Sequence, residues 1–294
     1  MQFSGTYTAL ITPFRGGIVD VAAFQALIER QIAGGVDGIV PTGTTGESPT
    51  LNTEEHIEVI RLAVEFAAGR CAVIAGTGSN STAEAIELTQ AAEQLGASGS
   101  LQVCPYYNKP QQEGLYLHFK AIAEATRLPL MLYSVPGRSV VEIGAETVAR
   151  LAADFPNIKA IKEAGGSVDR VNQLLQVVPA DFGILCGDDP LTLPFIACGA
   201  TGLVSVASNL IPDVIARLVR ACLNGSFDEA LAIHKQYYPL MRGLMSLDVN
   251  PVPIKSAVAL QGHCAPDFRL PLAPLTAANT ARLTGLLESY NLLP

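Results

Sequence analysis

Tryptophan is absent from this 294-residue chain, and all aromatics together make up only 6% of it. That leaves few ring faces for a stacking platform on single-stranded nucleic acid. Charge is sparse as well: only 16% of residues are charged, 19 basic against 27 acidic, for a net charge of −8. No basic run occurs, so polyanionic partners such as nucleic acid are disfavoured. No uncharged apolar stretch approaches the roughly 20 residues that a membrane span needs. The opening MQFSGTYTAL lacks a basic segment ahead of an apolar one, so the expectation is a soluble, unexported, cytoplasmic protein without a membrane partner. The six cysteines, at 71, 104, 186, 198, 222 and 264, form no CxxC pair and mostly sit in apolar runs such as CAVIAG and FIACGA. They read as small buried hydrophobes in a reducing compartment, neither bridged nor metal-bound. The four histidines form no HExxH or triad-like pattern and read as surface or packing residues. No metal and no cofactor is expected.

Hydrophobic residues supply 49% of the chain. Ala, Val, Ile and Leu dominate them, as suits helices packed on a buried parallel sheet. The length fits either two domains of about 150 residues or one α/β barrel of roughly 250. Eight short β-rich runs decide between them: TYTALITPF, GIVPT, CAVIAGT, GSLQVCPYY, PLMLYSV, NIKAIKEA, DFGILCGDD and ATGLVSVAS, beginning near residues 6, 38, 71, 99, 129, 157, 181 and 200. Between them lie stretches with helical spacing, such as Phe24, Leu27, Ile28 and Ile32. Asn52 with Glu55 and Ser81 with Glu84 have capping-box spacing, and Asp189 before Pro190 reads as a helix N-cap. Strands without polar alternation, repeating with helices, predict a (β/α)8 TIM barrel. We expect the barrel over residues 1–224, with VIARLV as its eighth helix, and a C-terminal helical appendage over 225–294, broken at NPVP.

In such a barrel the chemistry sits where strands end. Only Lys159 and Lys162, of six lysines, fall within an apolar strand. By alternation Lys162 shares a face with Ala160 and Ala164, and Lys159 shares one with Ile161, so one of the two points inward. An amine in an apolar interior is disfavoured as the cation, which makes the neutral nucleophile accessible for an imine with a carbonyl; a buried ion pair is the bland alternative. The run GIVPTGTTGES places Thr44 and Thr45 between Gly43 and Gly46, in a turn able to hold a carboxylate. In MLYSVPGRS, Tyr133 offers a phenol for proton transfer and Arg138 a guanidinium for a carboxylate. Tyr106 and Tyr107 are adjacent and would point apart in extended backbone. Asp188 and Asp189 read as part of a helix cap rather than as magnesium ligands, since no further carboxylates accompany them.

Taken together, GTTGES at 43–48, YSVPGR at 133–138, IKEAGG at 161–166 and GDD at 187–189 resemble the dihydrodipicolinate synthase branch of the N-acetylneuraminate lyase superfamily, the class I pyruvate-dependent aldolases. TALITPF, VIAGTGSN, PYYNKP and NPVPIK extend the resemblance over almost the whole chain. It implies a lyase in which Lys162 forms an imine with pyruvate, Tyr133 moves protons, and Thr44 completes a relay with Tyr107 donated across a subunit interface. It further implies that Thr45 and the backbone at Val204 bind pyruvate, that Arg138 holds the carboxylate of L-aspartate-semialdehyde at the cleft mouth, and that the protein is a homotetramer. The product would be a heterocycle on the route to diaminopimelate and lysine. The branch's lysine-effector site maps to Ser48, Pro49, His56, Asn80, Glu84 and Tyr106, although Thr53 stands where some sensitive members carry histidine, and Ser134 follows Tyr133 where many relatives carry Asn. Two other readings remain: a sibling aldolase acting on a 2-keto-3-deoxy sugar acid or 4-hydroxy-2-oxoglutarate, and a catalytically silent barrel that senses lysine or pyruvate.

Overall fold

A computed structural model describes residues 2–294. Strand β1 (Gly5–Ala9) is followed by a small antiparallel hairpin of β2 (Phe14–Arg15) and β3 (Ile18–Val19), which the periodicity did not reveal. Seven more strands follow: β4 (Gly38–Val40), β5 (Ala72–Gly76), β6 (Gly99–Val103), β7 (Leu130–Ser134), β8 (Ile158–Glu163), β9 (Gly183–Cys186) and β10 (Gly202–Ser205). These seven and β1 pair in parallel in chain order, and β10 pairs back on β1 to close the expected TIM barrel. Around it run α1 (Val21–Ala33), α2 (Thr53–Ala67), α3 (Thr82–Gln94), α4 (Gln112–Glu124), the one-turn α5 (Pro136–Ser139), α6 (Ala145–Asp154), α7 (Asp169–Leu175), α8 (Thr192–Ala197) and α9 (Pro212–Leu223). The chain ends in α10 (Phe227–Ser246), α11 (Val252–Leu260) and α12 (Ala277–Glu288). Among the described residues, no helix is long and apolar enough to cross a membrane.

Two apolar clusters follow from the strand period of two. Tyr7, Val40, Ile74, Leu101, Met131, Tyr133, Ala160, Leu185 and Val204 fill the barrel interior. The alternate residues, such as Ile39, Val73, Leu132 and Ile161, pack outward under the helices with Phe24, Leu27, Ile60 and Ala85. Asn52 starts α2 with a complete capping box, its side chain accepting from the Glu55 amide while Glu55 reaches back. The box expected at Ser81 is only half formed: Ser81 accepts from the Glu84 amide, but the Glu84 carboxylate turns to the Ser79 hydroxyl instead. All six cysteines are free; Cys104, Cys186 and Cys222 are buried and the others half-buried.

The C-terminal helices are tied to the barrel by charge as well as by packing. Lys255 of α11 and Glu47, in the loop after β4, form an ion pair of 2.6 Å in which both side chains are fully buried. The Lys255 ammonium also lies 4.1 Å from the Phe14 ring centroid, on the β2–β3 hairpin. Burial pushes the Lys255 pKa down and Glu47 pulls it back. Nearby, Arg269 donates to Glu55 at 2.6 Å and to the Thr50 carbonyl at 2.9 Å, and its own amide donates to Glu47 at 3.2 Å. Removing one partner of a fully buried pair strands the other charge, which typically costs about 3–5 kcal/mol. Lys255→Met is therefore expected to lower the urea-unfolding free energy by about that amount, and Glu47→Gln combined with it to recover much of the loss; an unchanged midpoint in the single variant would disprove the assignment.

Candidate active site

Lys162 is the fifth residue of β8 and Tyr133 the fourth of β7, and the two are direct register partners on the barrel's inner face. The Lys162 amine lies 4.2 Å from the Tyr133 ring centroid. Both residues are 6% exposed. Lys159 faces the other way, half-buried, with its amine 3.6 Å from the Asp181 carboxylate. Alternation thus sends Lys162 inward, and the small Ala160 below it and Ala164 above leave room for its chain. Gly187, after β9, is part of the same fit: a Cβ there would come within 2.7 Å of the Ala164 Cβ and 3.1 Å of the Lys162 Cε.

The loop after β4 forms the opposite wall. Thr42 and Glu47 adopt left-handed backbone, and the amides of Gly46 and Glu47 turn back to the Gly43 and Thr44 carbonyls at 3.0 and 3.1 Å. Thr44 is half-buried and faces the cleft, whereas Thr45 is buried and accepts a bond from Asn250 Nδ2 at 3.1 Å. Asn250 lies between α10 and α11, and its carbonyl accepts from Arg138 Nη2 at 2.9 Å. It joins Thr45, in the floor of the cleft, to the guanidinium at the mouth. The motif NPVPIK was legible in the sequence, but nothing in its spacing shows that Asn250 reaches a loop 205 residues away.

The cleft has two adjoining compartments. The inner, about 120 Å³, is lined by Thr44, Thr45, Tyr133, Lys162, Asp188 and Asn250, among others. The outer, about 230 Å³, shares Thr44, Tyr133 and Arg138 and adds Ser48, Pro49 and Tyr106. Arg138 stands on α5 rather than in a bare turn. Val204 belongs to the inner row of β10, below the compartment, where Val206 is the lining residue. Tyr107 is not gathered with the rest: it is 89% exposed, with a φ of +71°. That left-handed residue, and not strand alternation, separates it from Tyr106, because β6 has already ended at Val103. Ser48, Pro49, His56, Glu84 and Tyr106 line a further cleft of about 360 Å³. Asn80 sits at its margin and donates to the Tyr106 carbonyl at 3.2 Å. His56 Nε2 lies 2.7 Å from the Gly76 carbonyl, and burial holds its pKa below the usual value.

The acidic pair after β9 departs from expectation. Asp188, not Asp189, occupies the N-cap position of the 3₁₀ turn Asp189–Leu191, and its side chain makes no capping bond. The Asp189 carboxylate instead turns inward, fully buried, to the loop after β10. There it accepts from the amides of Val206 and Ala207 at 2.9 and 3.1 Å and from the Ser205 hydroxyl. A carboxylate satisfies three donors that would otherwise be orphaned, and that need outweighs a cap on a three-residue turn. Burial raises the Asp189 pKa, and these bonds oppose the rise. Because the folded value lies above the unfolded one, the native state holds the extra proton, so this residue's contribution to stability falls as pH climbs through the folded pKa. Asp189→Asn is expected to flatten that part of the stability–pH curve, and Asp189→Ala to cost about 2–4 kcal/mol by urea unfolding, from the orphaned donors.

The profile of the dihydrodipicolinate synthetase family matches residues 2–290. A 4-hydroxy-tetrahydrodipicolinate synthase of Persephonella marina is 50% identical over 293 residues, covering 99% of this chain and all of that one. One from Pelobacter propionicus is 49% identical over 292 residues, with 99% and 100% covered. Among solved structures, the 4-hydroxy-tetrahydrodipicolinate synthase of Methylacidiphilum fumariolicum superposes with a TM-score of 0.96 at 52% identity over the whole of both chains. The dihydrodipicolinate synthase of Aquifex aeolicus gives 0.98 at 46% identity over 99% of each.

Proposed function

The chain belongs to the dihydrodipicolinate synthetase family, and from that premise we propose that it condenses pyruvate with L-aspartate-4-semialdehyde to 4-hydroxy-tetrahydrodipicolinate, the lyase step that commits carbon to diaminopimelate and lysine. The observation that carries this reading is the pairing of Lys162 with Tyr133 on the inner face of the barrel, at its C-terminal end. The Lys162 amine adds to the pyruvate carbonyl, and loss of one water leaves an imine. Removal of a proton from the pyruvate methyl gives the enamine, whose carbon attacks the aldehyde. The amino group of the adduct then displaces the Lys162 amine and closes the ring.

Tyr133 is placed to carry protons to and from these intermediates, because its ring lies against the amine and both line the inner compartment. Thr45, with its hydroxyl fixed by Asn250, suits the pyruvate carboxylate. Thr44 continues the path outward, and Arg138 at the mouth suits the carboxylate of the semialdehyde. Tyr107 completes that path only if a neighbouring subunit supplies it; its outward placement at 89% exposure is what a donated residue requires. A homotetramer is the assembly that this reading carries with it. Pyruvate and the semialdehyde are its small-molecule partners, and the cytoplasm is where they would meet.

Borohydride in the presence of pyruvate is expected to fix a three-carbon adduct on Lys162, found by peptide mass mapping. Labelling of Lys159 or Lys255 instead would overturn the assignment. Turnover, followed as NADPH oxidation with excess of the next-step reductase, is expected to need both substrates, to vanish in Lys162→Ala and to fall about 100-fold or more in Tyr133→Phe, the usual scale of a lost general acid–base. No turnover alongside intact trapping would move the protein to the sibling aldolases that share the imine and differ in the aldehyde.

The 360 Å³ cleft supports a second site, for L-lysine. Glu84 offers it a carboxylate, His56 and Asn80 offer polar contacts, and Ser48, Pro49, Gly78 and Tyr106 form a wall shared with the outer compartment. Millimolar L-lysine is expected to lower the initial rate, and Glu84→Ala to abolish that effect; a rate indifferent to lysine would remove the regulatory reading, as the threonine at Thr53 makes a real alternative.

A further inference from the structure

We propose that Glu163 is a positioning residue that seats Arg138 against the strand of Lys162, through the backbone on both sides of α5. The proposal rests on the condensation proposed above and concerns how its two substrate-holding groups keep their spacing.

Glu163 follows Lys162 in β8 and, by alternation, faces away from the cleft. Its side chain is fully buried. The Oε1 atom accepts from the Gly165 amide at 2.7 Å, which closes the turn after the strand. The Oε2 atom lies 3.5 Å from Nε of Arg170, on α7, a side chain that is itself only 7% exposed. The same guanidinium donates through Nη2 to the Ile143 carbonyl. Ile143 stands in the segment 140–144 that joins α5 to α6. The other end of α5 meets the turn directly. A Cβ on Gly165 would come within 2.7 Å of Glu163 Oε1 and 3.5 Å of Cγ of Pro136, the first residue of α5. One carboxylate thus holds both the turn packed on Pro136 and the arginine that pins Ile143, and Arg138 lies between these two points.

The segment after α5 needs such a hold. Val140 has left-handed backbone, with a φ of +64°, a costly conformation for a β-branched residue. It is 64% exposed, so packing of its own side chain offsets little of that cost. Strain of this kind persists only where the surroundings over-determine the backbone. Gln112 of α4 supplies one hold, donating to the Glu142 carbonyl at 2.9 Å and accepting from the Gly144 amide at 2.8 Å. Arg170 supplies another, and it leads back through Glu163 to the imine strand. Burial raises the Glu163 pKa, and the Gly165 amide and Arg170 oppose the rise, so the two contacts that fix the geometry also favour the anion.

The condensation needs the enamine carbon and the aldehyde held at attack distance by anchors on separate elements. Lys162 fixes the donor covalently, whereas the acceptor depends on where α5 places Arg138. An error in α5 therefore weakens the hold on the second substrate and spares imine formation.

The test is Glu163→Gln, which keeps the shape and removes the charge that Arg170 answers. Its KM for L-aspartate-semialdehyde is expected to rise about 5- to 50-fold, within the scale on which a misplaced substrate-holding group acts. The inhibition constant of succinic semialdehyde, which keeps the carboxylate and lacks the amino group, is expected to rise in parallel. The pyruvate concentration that half-saturates borohydride trapping on Lys162 is expected to move less than about threefold. Arg170→Lys, which cannot span the carboxylate and the carbonyl together, is expected to reproduce this pattern and carries the test if Glu163→Gln fails to fold. An unchanged KM, or a shift shared equally by pyruvate trapping and the semialdehyde, would show a purely structural role and overturn the proposal. So would a raised KM beside an unmoved succinic semialdehyde constant, since Glu163 would then act elsewhere than on the carboxylate hold. Wild-type protein that traps pyruvate and never consumes the semialdehyde would instead remove the condensation, and this proposal with it.

Discussion

Closure of eight parallel strands is the constraint from which the site follows. In a parallel barrel every strand ends at the same rim, and the period of two sends alternate side chains to a common interior. Two residues of neighbouring strands that share register and face must then meet above the core. Tyr133 and Lys162 do so, without any hydrogen bond between them to arrange it. The layers beneath, from Met131, Ala160, Leu185 and Val204, are apolar and packed. They form a floor that keeps the amine at the rim, with Lys162 only 6% exposed.

The rim itself is irregular backbone, and the C-terminal helices hold it in place. Asn250 bonds both Thr45 and Arg138, Lys255 is buried against Glu47, and Arg269 ties down the chain from Thr50 to Glu55. These contacts converge on a loop with left-handed residues at Thr42 and Glu47, conformations that cost free energy for side chains with a Cβ. A loop of that kind keeps one shape only when its surroundings over-determine it. The buried ion pair supplies direction as well as attraction, because a carboxylate and an ammonium sealed from water tolerate little misplacement. The helices after α9 are therefore part of the active site's construction, although most of them lie outside the barrel.

The same rim carries two clefts that share a wall. Ser48, Pro49, Gly78 and Tyr106 face both the outer compartment and the larger cleft beside it. Between them His56 holds the Gly76 carbonyl, whose residue lines the outer compartment. A ligand in one cleft thus touches side chains that shape the other, with no long path of coupling to invoke.

Much of this was legible before any coordinates. The strand starts fell within two residues of their observed places, because buried parallel strands are short apolar runs that turn residues delimit. That one of Lys159 and Lys162 points inward followed from alternation, a local property of the chain, and the family resemblance singled out Lys162. What failed was of another kind. Asp189 looked like a cap since Pro190 follows it, yet its carboxylate answers three donors 16 to 18 residues away. Tyr107 parts from Tyr106 through a left-handed φ that no sequence period encodes. Asn250 and Lys255 sit in the legible motif NPVPIK, but nothing local in it gives their partners, which lie 205 and 208 residues upstream. The sequence by itself determined the barrel, its inner face and the amine upon it, because periodicity and propensity act between near neighbours. Only the tertiary structure decided which polar groups would be spent on holding the rim and which would be left lining the cleft, because hydrogen bonds and ion pairs are allotted among groups that meet only when the chain has closed on itself.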